Sequence, residues 1–324
     1  MYTREQLTDL VNRAVASLSF PEEAVKLFEP VIYVLGAGGK RLRPVIALMA
    51  CNLFSDRIDG AVKPVAGLEI FHNFTLVHDD IMDQANVRRN SPTVHKKWSP
   101  NQAILSGDVM AFMANECLLE APAPITADVF RTFNKAAVEV CIGQQLDMDF
   151  ERSLVISGED YLRMIELKTA VLLGASCKIG AILGGADKKN ADLLYEFGRN
   201  LGIAFQIQDD LLDVYGDEKL FGKAQGGDIV SNKKTFLYVK ALELASGTQS
   251  RRLQELFSGE ESDPAGKVKA VKELFDQMGI RQLTLEAANH YISSSFSFLD
   301  RVGVRKERKE ELTRFAESLI GREH

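Results

Sequence analysis

Apolar positions recur three and four residues apart along nearly the whole chain. Leu7, Leu10, Val11 and Ala14 share one helix face, as do Leu193, Leu194, Phe197 and Leu201. Strict period-two alternation is scarce, so the pattern predicts helices and almost no sheet. Helix breakers fall at Gly36 to Gly39, Gly60, Pro100, Pro122 to Pro124, Gly184-Gly185, Gly216 to Gly227, Gly247 and Gly259 to Pro264. They divide the chain into roughly ten helices, with breaks too short for interdomain linkers. Ser157 followed by Asp160 suits a helix start. The polar segment from Ser246 to Lys267 reads as a surface loop with a short helix. The expected architecture is all-α: a single-domain bundle of helices over residues 1–324 around a central cavity.

Composition narrows the picture. With 324 residues, 46% of them hydrophobic, the chain can bury a full core without staples. The formal net charge of -6 argues against a general nucleic-acid binder. The four cysteines, Cys51, Cys117, Cys141 and Cys177, form no CxxC pair and read as reduced, mostly buried thiols of a cytoplasmic protein. The charged N-terminus is not a signal peptide. The most apolar run, Ala170 to Ala186, is interrupted by Lys178 and reads as a buried core helix, so no transmembrane segment is expected.

Two acidic clusters carry the chemistry. His78-Asp79-Asp80-Ile81-Met82-Asp83 and Gln208-Asp209-Asp210-Leu211-Leu212-Asp213 are both DDxxD, and each ends an apolar helical stretch. On a helix, positions one, two and five fall within an arc of about 100°. Three carboxylates on one face repel one another, and hard cations relieve that repulsion. Oxygen ligands with open positions for water and phosphate suit Mg²⁺ better than zinc. One cluster alone is compatible with a solvated helix face. Two with identical spacing suggest facing helices that grip metals and one polyphosphate.

Such a site also requires cations. Gly38-Gly39-Lys40-Arg41-Leu42-Arg43-Pro44 feeds basic residues from a Gly-Gly turn into a helix. Arg88-Arg89 follows the first cluster; Lys223 and Lys233-Lys234 follow the second. Lys168-Thr169 lies inside a mainly apolar helix, an expensive place for an unpaired charge. His72 precedes the first cluster on the same helix.

Together these residues resemble the trans-isoprenyl diphosphate synthases, or polyprenyl synthetases. The resemblance runs continuously from about Gly38 to Lys233. It includes GGKRLRP, HDDIMD, the double Arg, GQQLDMDFE at Gly143 to Glu151, KTA at Lys168, FQIQDDLLD, GK and GGDI. Asn90 stands where the family usually has Gly. The resemblance implies an all-helical, Mg²⁺-dependent enzyme that joins isopentenyl diphosphate to an allylic diphosphate, working as a homodimer with three Mg²⁺ ions. It implies Asp79, Asp83 and Asp209 as metal ligands, with Asp80 and Asp213 supporting them and Asp210 completing the second catalytic motif. Arg88, Lys168, Lys223 and Lys233 would hold the allylic diphosphate. Lys40, Arg43, His72 and Arg89 would hold that of isopentenyl diphosphate. Thr169 and Gln206 would line the developing carbocation.

A class I terpene cyclase ionises similar substrates but has no use for a second diphosphate site, which GGKRLRP and Arg89 would form. A non-catalytic partner subunit would be expected to have lost one cluster, and both are intact. Phe74 and Phe71 lie five and eight positions before Asp79, on one helix face. Within the family a bulky residue five positions before the motif floors the product tunnel. That implies a short-chain product, farnesyl or geranylgeranyl diphosphate, rather than a longer polyprenyl chain.

Overall fold

The computed structural model describes residues 1–153, 156–216, 225–258 and 263–321. The described chain is almost entirely helical. In order, the helices are α1 (Arg4–Ala16), α2 (Val25–Gly36), α3 (Leu42–Phe54), α4 (Asp59–Met82), α5 (Val94–Lys97), α6 (Pro100–Leu119), α7 (Thr126–Arg152) and α8 (Gly158–Ile165). There follow α9 (Val171–Leu183), α10 (Lys188–Tyr215), α11 (Gly227–Val230), α12 (Phe236–Leu244), α13 (Thr248–Leu256), α14 (Pro264–Gln277), α15 (Ile280–Asp300) and α16 (Lys306–Ile320). The helices group into two compact units. Unit one comprises residues 1–134, 175–195 and 302–313; unit two comprises 135–174, 196–301 and 314–324.

Local chemistry explains most boundaries. Thr3 caps α1 and Ser157 caps α8, each in a reciprocal capping box, the second with Asp160 as the sequence suggests. Gly185, at φ +86°, follows the end of α9. Gly60 does not break the chain. It sits in the first turn of α4, where backbone N–H groups lack intrahelical partners anyway and glycine costs little. The segment from Ser246 to Lys267 contains α13 and the start of α14 among its described residues, with Pro264 at the first turn of α14.

In unit one α4 is the central helix. It buries residues on nearly every side, from Ala61 and Val65 to Phe71 and Val77, because it packs against α3 and α6 at once. Unit two closes its own apolar core from α8, α10, α12, α14 and α15, with Tyr161, Ile207, Phe236, Leu237 and Phe275 among its buried members. The described strands are two-residue pieces. Val87–Arg88 pairs antiparallel with Ser91–Pro92 in a hairpin. Its turn residues, Arg89 and Asn90, both take left-handed φ (52° and 60°), as a type I′ turn demands. Asn is one of the few residues besides Gly that enter that conformation, so Asn90 is compatible with the turn.

Candidate active site

In unit one the GGKRLRP segment crosses from α2 into α3 through a strained residue. Arg41 adopts φ 48° and is nevertheless buried. Its guanidinium donates to Glu69 Oε1 (2.9 Å), the Leu35 carbonyl (2.6 Å) and Asn12 Oδ1 (3.2 Å). The left-handed conformation costs roughly 1–2 kcal/mol. Breaking a buried ion pair costs more, about 3–5 kcal/mol, so the anchor wins. With Arg41 turned inward, its neighbours Lys40 and Arg43 line a solvent-open cleft of about 480 Å³, joined there by His72 and Arg89. All four residues expected to hold the second diphosphate therefore meet in one cleft.

Asn73 links the parts. Its amide donates to Glu69, and its oxygen accepts from Arg89 (3.4 Å), which also donates to the Gly38 carbonyl. Burial and the neighbouring Arg43, Arg89, Arg88 and Arg41 hold the His72 imidazolium pKa well below its ordinary value. Burial lowers Arg43 to about 10, opposed by Glu69, and its buried Nε has no hydrogen-bond partner. A cleft of crowded cations with an orphaned guanidinium N–H suits an anion such as diphosphate.

At the end of α4 the three carboxylates part company. Asp80 is buried and accepts from Arg88 Nε at 2.7 Å. Burial raises its pKa, and Arg88 opposes the shift. Asp79 is half-buried, and Asp83, at the helix end, is exposed. Five positions before Asp79 on α4, Phe74 lies against Phe71 (ring centroids 5.3 Å apart) and against His78 (4.8 Å). Phe71 also meets Phe133 edge-on at 5.0 Å. His78 fits because α6 presents a glycine: a Cβ on Gly107 would stand 2.3 Å from His78 Nε2.

In unit two the Lys168-Thr169 pair lies in a π-helical turn, Glu166–Ala170, between α8 and α9. π-turns are rare and concentrate at functional sites. This one packs directly on α7, where a Cβ on Gly143 would stand 2.2 Å from the Lys168 amide nitrogen. Only glycine permits that approach. Lys168 Nζ then pairs with Asp147 at 2.6 Å, one turn further along α7. Thr169 Oγ1 lies 3.3 Å from Gln206 Oε1, so these two expected neighbours do meet.

The second cluster divides like the first. Asp209 is exposed and Asp210 is buried. Burial raises the Asp210 pKa to about 6, opposed by the Lys233 charge, the Tyr161 hydroxyl and the Phe236 N–H. Asp213 accepts from the Asp228 amide (3.0 Å) and so fixes the start of α11, the GGDI segment. Burial works to lower the Lys233 pKa, but Asp228, Asp210, Asp147 and Asp209 together raise it above the ordinary lysine value. Lys234 points elsewhere: its ammonium donates to the carbonyls of Phe150 (2.7 Å), Glu151 and Ser153, capping the end of α7. Lys223 lies outside the described residues.

The donor set fits a hard cation. Among the described residues no three His, Cys, Asp or Glu side chains cluster to cage a metal unaided. Carboxylates at helix ends, completed by water and phosphate oxygens, are what Mg²⁺ uses. The residues that pattern reading missed are supports. They are Arg41, Glu69 and Asn73 behind the cationic cleft, His78 beside Phe74, and Asp147 and Tyr161 in unit two. A cue was available for Arg41 inside GGKRLRP, His78 inside HDDIMD and Asp147 inside GQQLDMDFE, and none for Glu69, Asn73 or Tyr161.

Comparison with known proteins identifies the family. Residues 24–275 match the family model described as polyprenyl synthetase. The chain is 34% identical over 322 residues to a short chain isoprenyl diphosphate synthase of Methanothermobacter thermautotrophicus, covering 99% of this chain and 96% of that one. It is 42% identical over 248 residues to a geranylgeranyl diphosphate synthase of Sulfolobus acidocaldarius, covering 72% and 75%. A crystal structure of a geranylgeranyl pyrophosphate synthase superposes with a TM-score of 0.95 at 40% identity, over the full length of both chains.

Proposed function

The chain belongs to the polyprenyl synthetase family, and from that premise we propose that it condenses isopentenyl diphosphate with an allylic diphosphate to give a C15–C20 prenyl diphosphate. One observation carries the reading. Lys40, Arg43, His72 and Arg89 converge on a cleft with no acidic cluster of its own, in a chain that also holds two DDxxD motifs. Metal-bound and metal-free anion sites together call for two diphosphate substrates. A terpene cyclase, with one diphosphate, has no use for the second.

Family enzymes are metal-dependent. Here Asp79 and Asp83 at the C-terminal end of α4 and Asp209 on α10 would ligate Mg²⁺, three ions in all with the allylic diphosphate. When bound, Mg²⁺ supplies Lewis-acid stabilisation of the departing diphosphate. Arg88, Lys168 and Lys233, with Lys223, hold that diphosphate and offset its charge as the C–O bond breaks. Thr169 and Gln206 present oxygen dipoles to the allylic cation. The Arg43 cleft orients isopentenyl diphosphate so that its double bond attacks the cation, after which a proton leaves to the released diphosphate. Apolar walls exclude the water that would otherwise trap the cation as an alcohol. Phe74, held between Phe71 and His78, is the proposed floor that ends elongation, in keeping with the geranylgeranyl synthases among its relatives. Exposed apolar side chains on α6, Leu105 (56%) and Phe112 (69%) on one face, support a homodimer. No described helix is long and apolar enough to cross a membrane, in keeping with a cytoplasmic enzyme.

Steady-state kinetics with each substrate varied tests the split between the two anion sites. Arg43→Ala should raise KM for isopentenyl diphosphate by about tenfold or more, as loss of a charge-assisted bond implies, and leave the allylic KM nearly unchanged. Lys233→Ala should do the reverse. Equal effects of both variants on both KM values would overturn the assignment.

A further inference from the structure

We propose that Asp210 is an anchor rather than a metal ligand, and that Tyr161 is the positioning residue that keeps it one. On α10 consecutive side chains diverge by about 100°. Asp209 therefore faces out while Asp210 faces in, at 1% exposure. Both oxygens of Asp210 are already engaged. Oδ2 accepts from the Tyr161 hydroxyl on α8 and from the Phe236 backbone N–H at 3.0 Å. Oδ1 accepts from the Gln206 amide at 3.2 Å. A carboxylate with three internal donors and 1% exposure offers almost no accessible oxygen surface to a metal.

The engagement ties three parts of unit two to one carboxylate. Phe236 opens α12, three residues after Lys233, so its N–H bond fixes the end of the segment that carries that lysine. The Gln206 NH₂ group is committed to Asp210. Its oxygen is thereby turned toward Thr169 Oγ1, 3.3 Å away. The order Tyr161–Asp210–Gln206–Thr169 transmits the position of a buried phenol to the residues proposed to face the cation. Tyr161 itself is buried beneath, its ring 6.1 Å from that of Phe236, and belongs to the apolar core rather than to the substrate surface.

The kinetic consequence rests on the prenyltransferase reading; the anchor itself does not. Three variants separate them: Tyr161→Phe, Asp210→Asn and Asp209→Asn. Hydrogen exchange at the Phe236 amide and calorimetric titration of Mg²⁺ with inorganic pyrophosphate are read beside steady-state rates. Tyr161→Phe and Asp210→Asn should accelerate Phe236 exchange and lower kcat by about tenfold, roughly 1.4 kcal/mol of barrier, while KM for isopentenyl diphosphate stays within about twofold. Their Mg²⁺ half-saturation should stay within about threefold of the parent chain, whereas Asp209→Asn should raise it by about tenfold or more, as loss of a direct ligand does. The anchor is refuted if Asp210→Asn shifts the Mg²⁺ requirement as far as Asp209→Asn. It is equally refuted if Tyr161→Phe, folded by circular dichroism, leaves both kcat and Phe236 protection unchanged. A parent chain with no prenyl transfer would remove the reaction, yet exchange and calorimetry would still decide the anchor.

Discussion

Within each acidic cluster the middle aspartate is buried, Asp80 against Arg88 and Asp210 against Tyr161 and Phe236, while Asp83 and Asp209 are exposed. Identical letters in a motif thus take different physical roles, set by which side of a helix they face. The cationic cleft shows the same dependence on neighbours. His72 carries a testable signature, since burial and four arginines hold its folded pKa well below the unfolded value of about 6.5. Below pH 6.5 the unfolded chain takes up a proton that the folded chain refuses. The associated stability is therefore complete above pH 6.5 and declines as the pH falls. Between pH 7.5 and 5.5 the parent chain should lose up to about 1 kcal/mol more than His72→Asn in urea unfolding. Parallel pH profiles for the two would show that His72 is not held neutral.

At the scale of elements, the paired DDxxD motifs, the GGKRLRP turn and the helix start at Ser157 were legible because each is a local pattern with a local cause. The π-turn at Glu166–Ala170 was not. Lys168 looked like a costly charge inside a regular helix, and what resolves it is Gly143, more than twenty residues earlier, admitting the backbone of the turn. Asp147 then supplies the partner that makes the charge tolerable. Nor did the hairpin at Val87–Pro92 announce itself, because two-residue strands have no periodicity to read. Phe71 and Phe74 were legible as a pair three residues apart. Their companion His78 was hidden, since its place depends on Gly107 in a different helix. Replacing Phe74 by Ala removes the central ring of that stack. The expected outcome is a shift of the product distribution to longer prenyl chains with the first condensation rate nearly unchanged, read by chromatography of the dephosphorylated products. Unchanged product length would exclude Phe74 as the floor.

For the molecule as a whole, helical class followed from periodicity, while the grouping of the helices into two compact units rests on contacts between segments far apart in sequence. Unit one, for example, takes in residues 302–313, where Arg308 donates to the carbonyls of Leu53 and Asn52 and pairs with Asp56, more than 250 positions earlier. No motif marks such a closure. What both units share is chemistry suited to diphosphate: a cation-lined cleft in unit one, and in unit two Lys168 and Lys233 among carboxylates. The most direct test of the central claim is to incubate the protein with Mg²⁺, isopentenyl diphosphate and an allylic diphosphate, following diphosphate release and the chain length of the product. The account predicts Mg²⁺-dependent release of diphosphate with formation of a C15–C20 prenyl diphosphate. Release of diphosphate from the allylic substrate alone with a cyclic hydrocarbon product, or no elongation in the presence of both substrates, would contradict it.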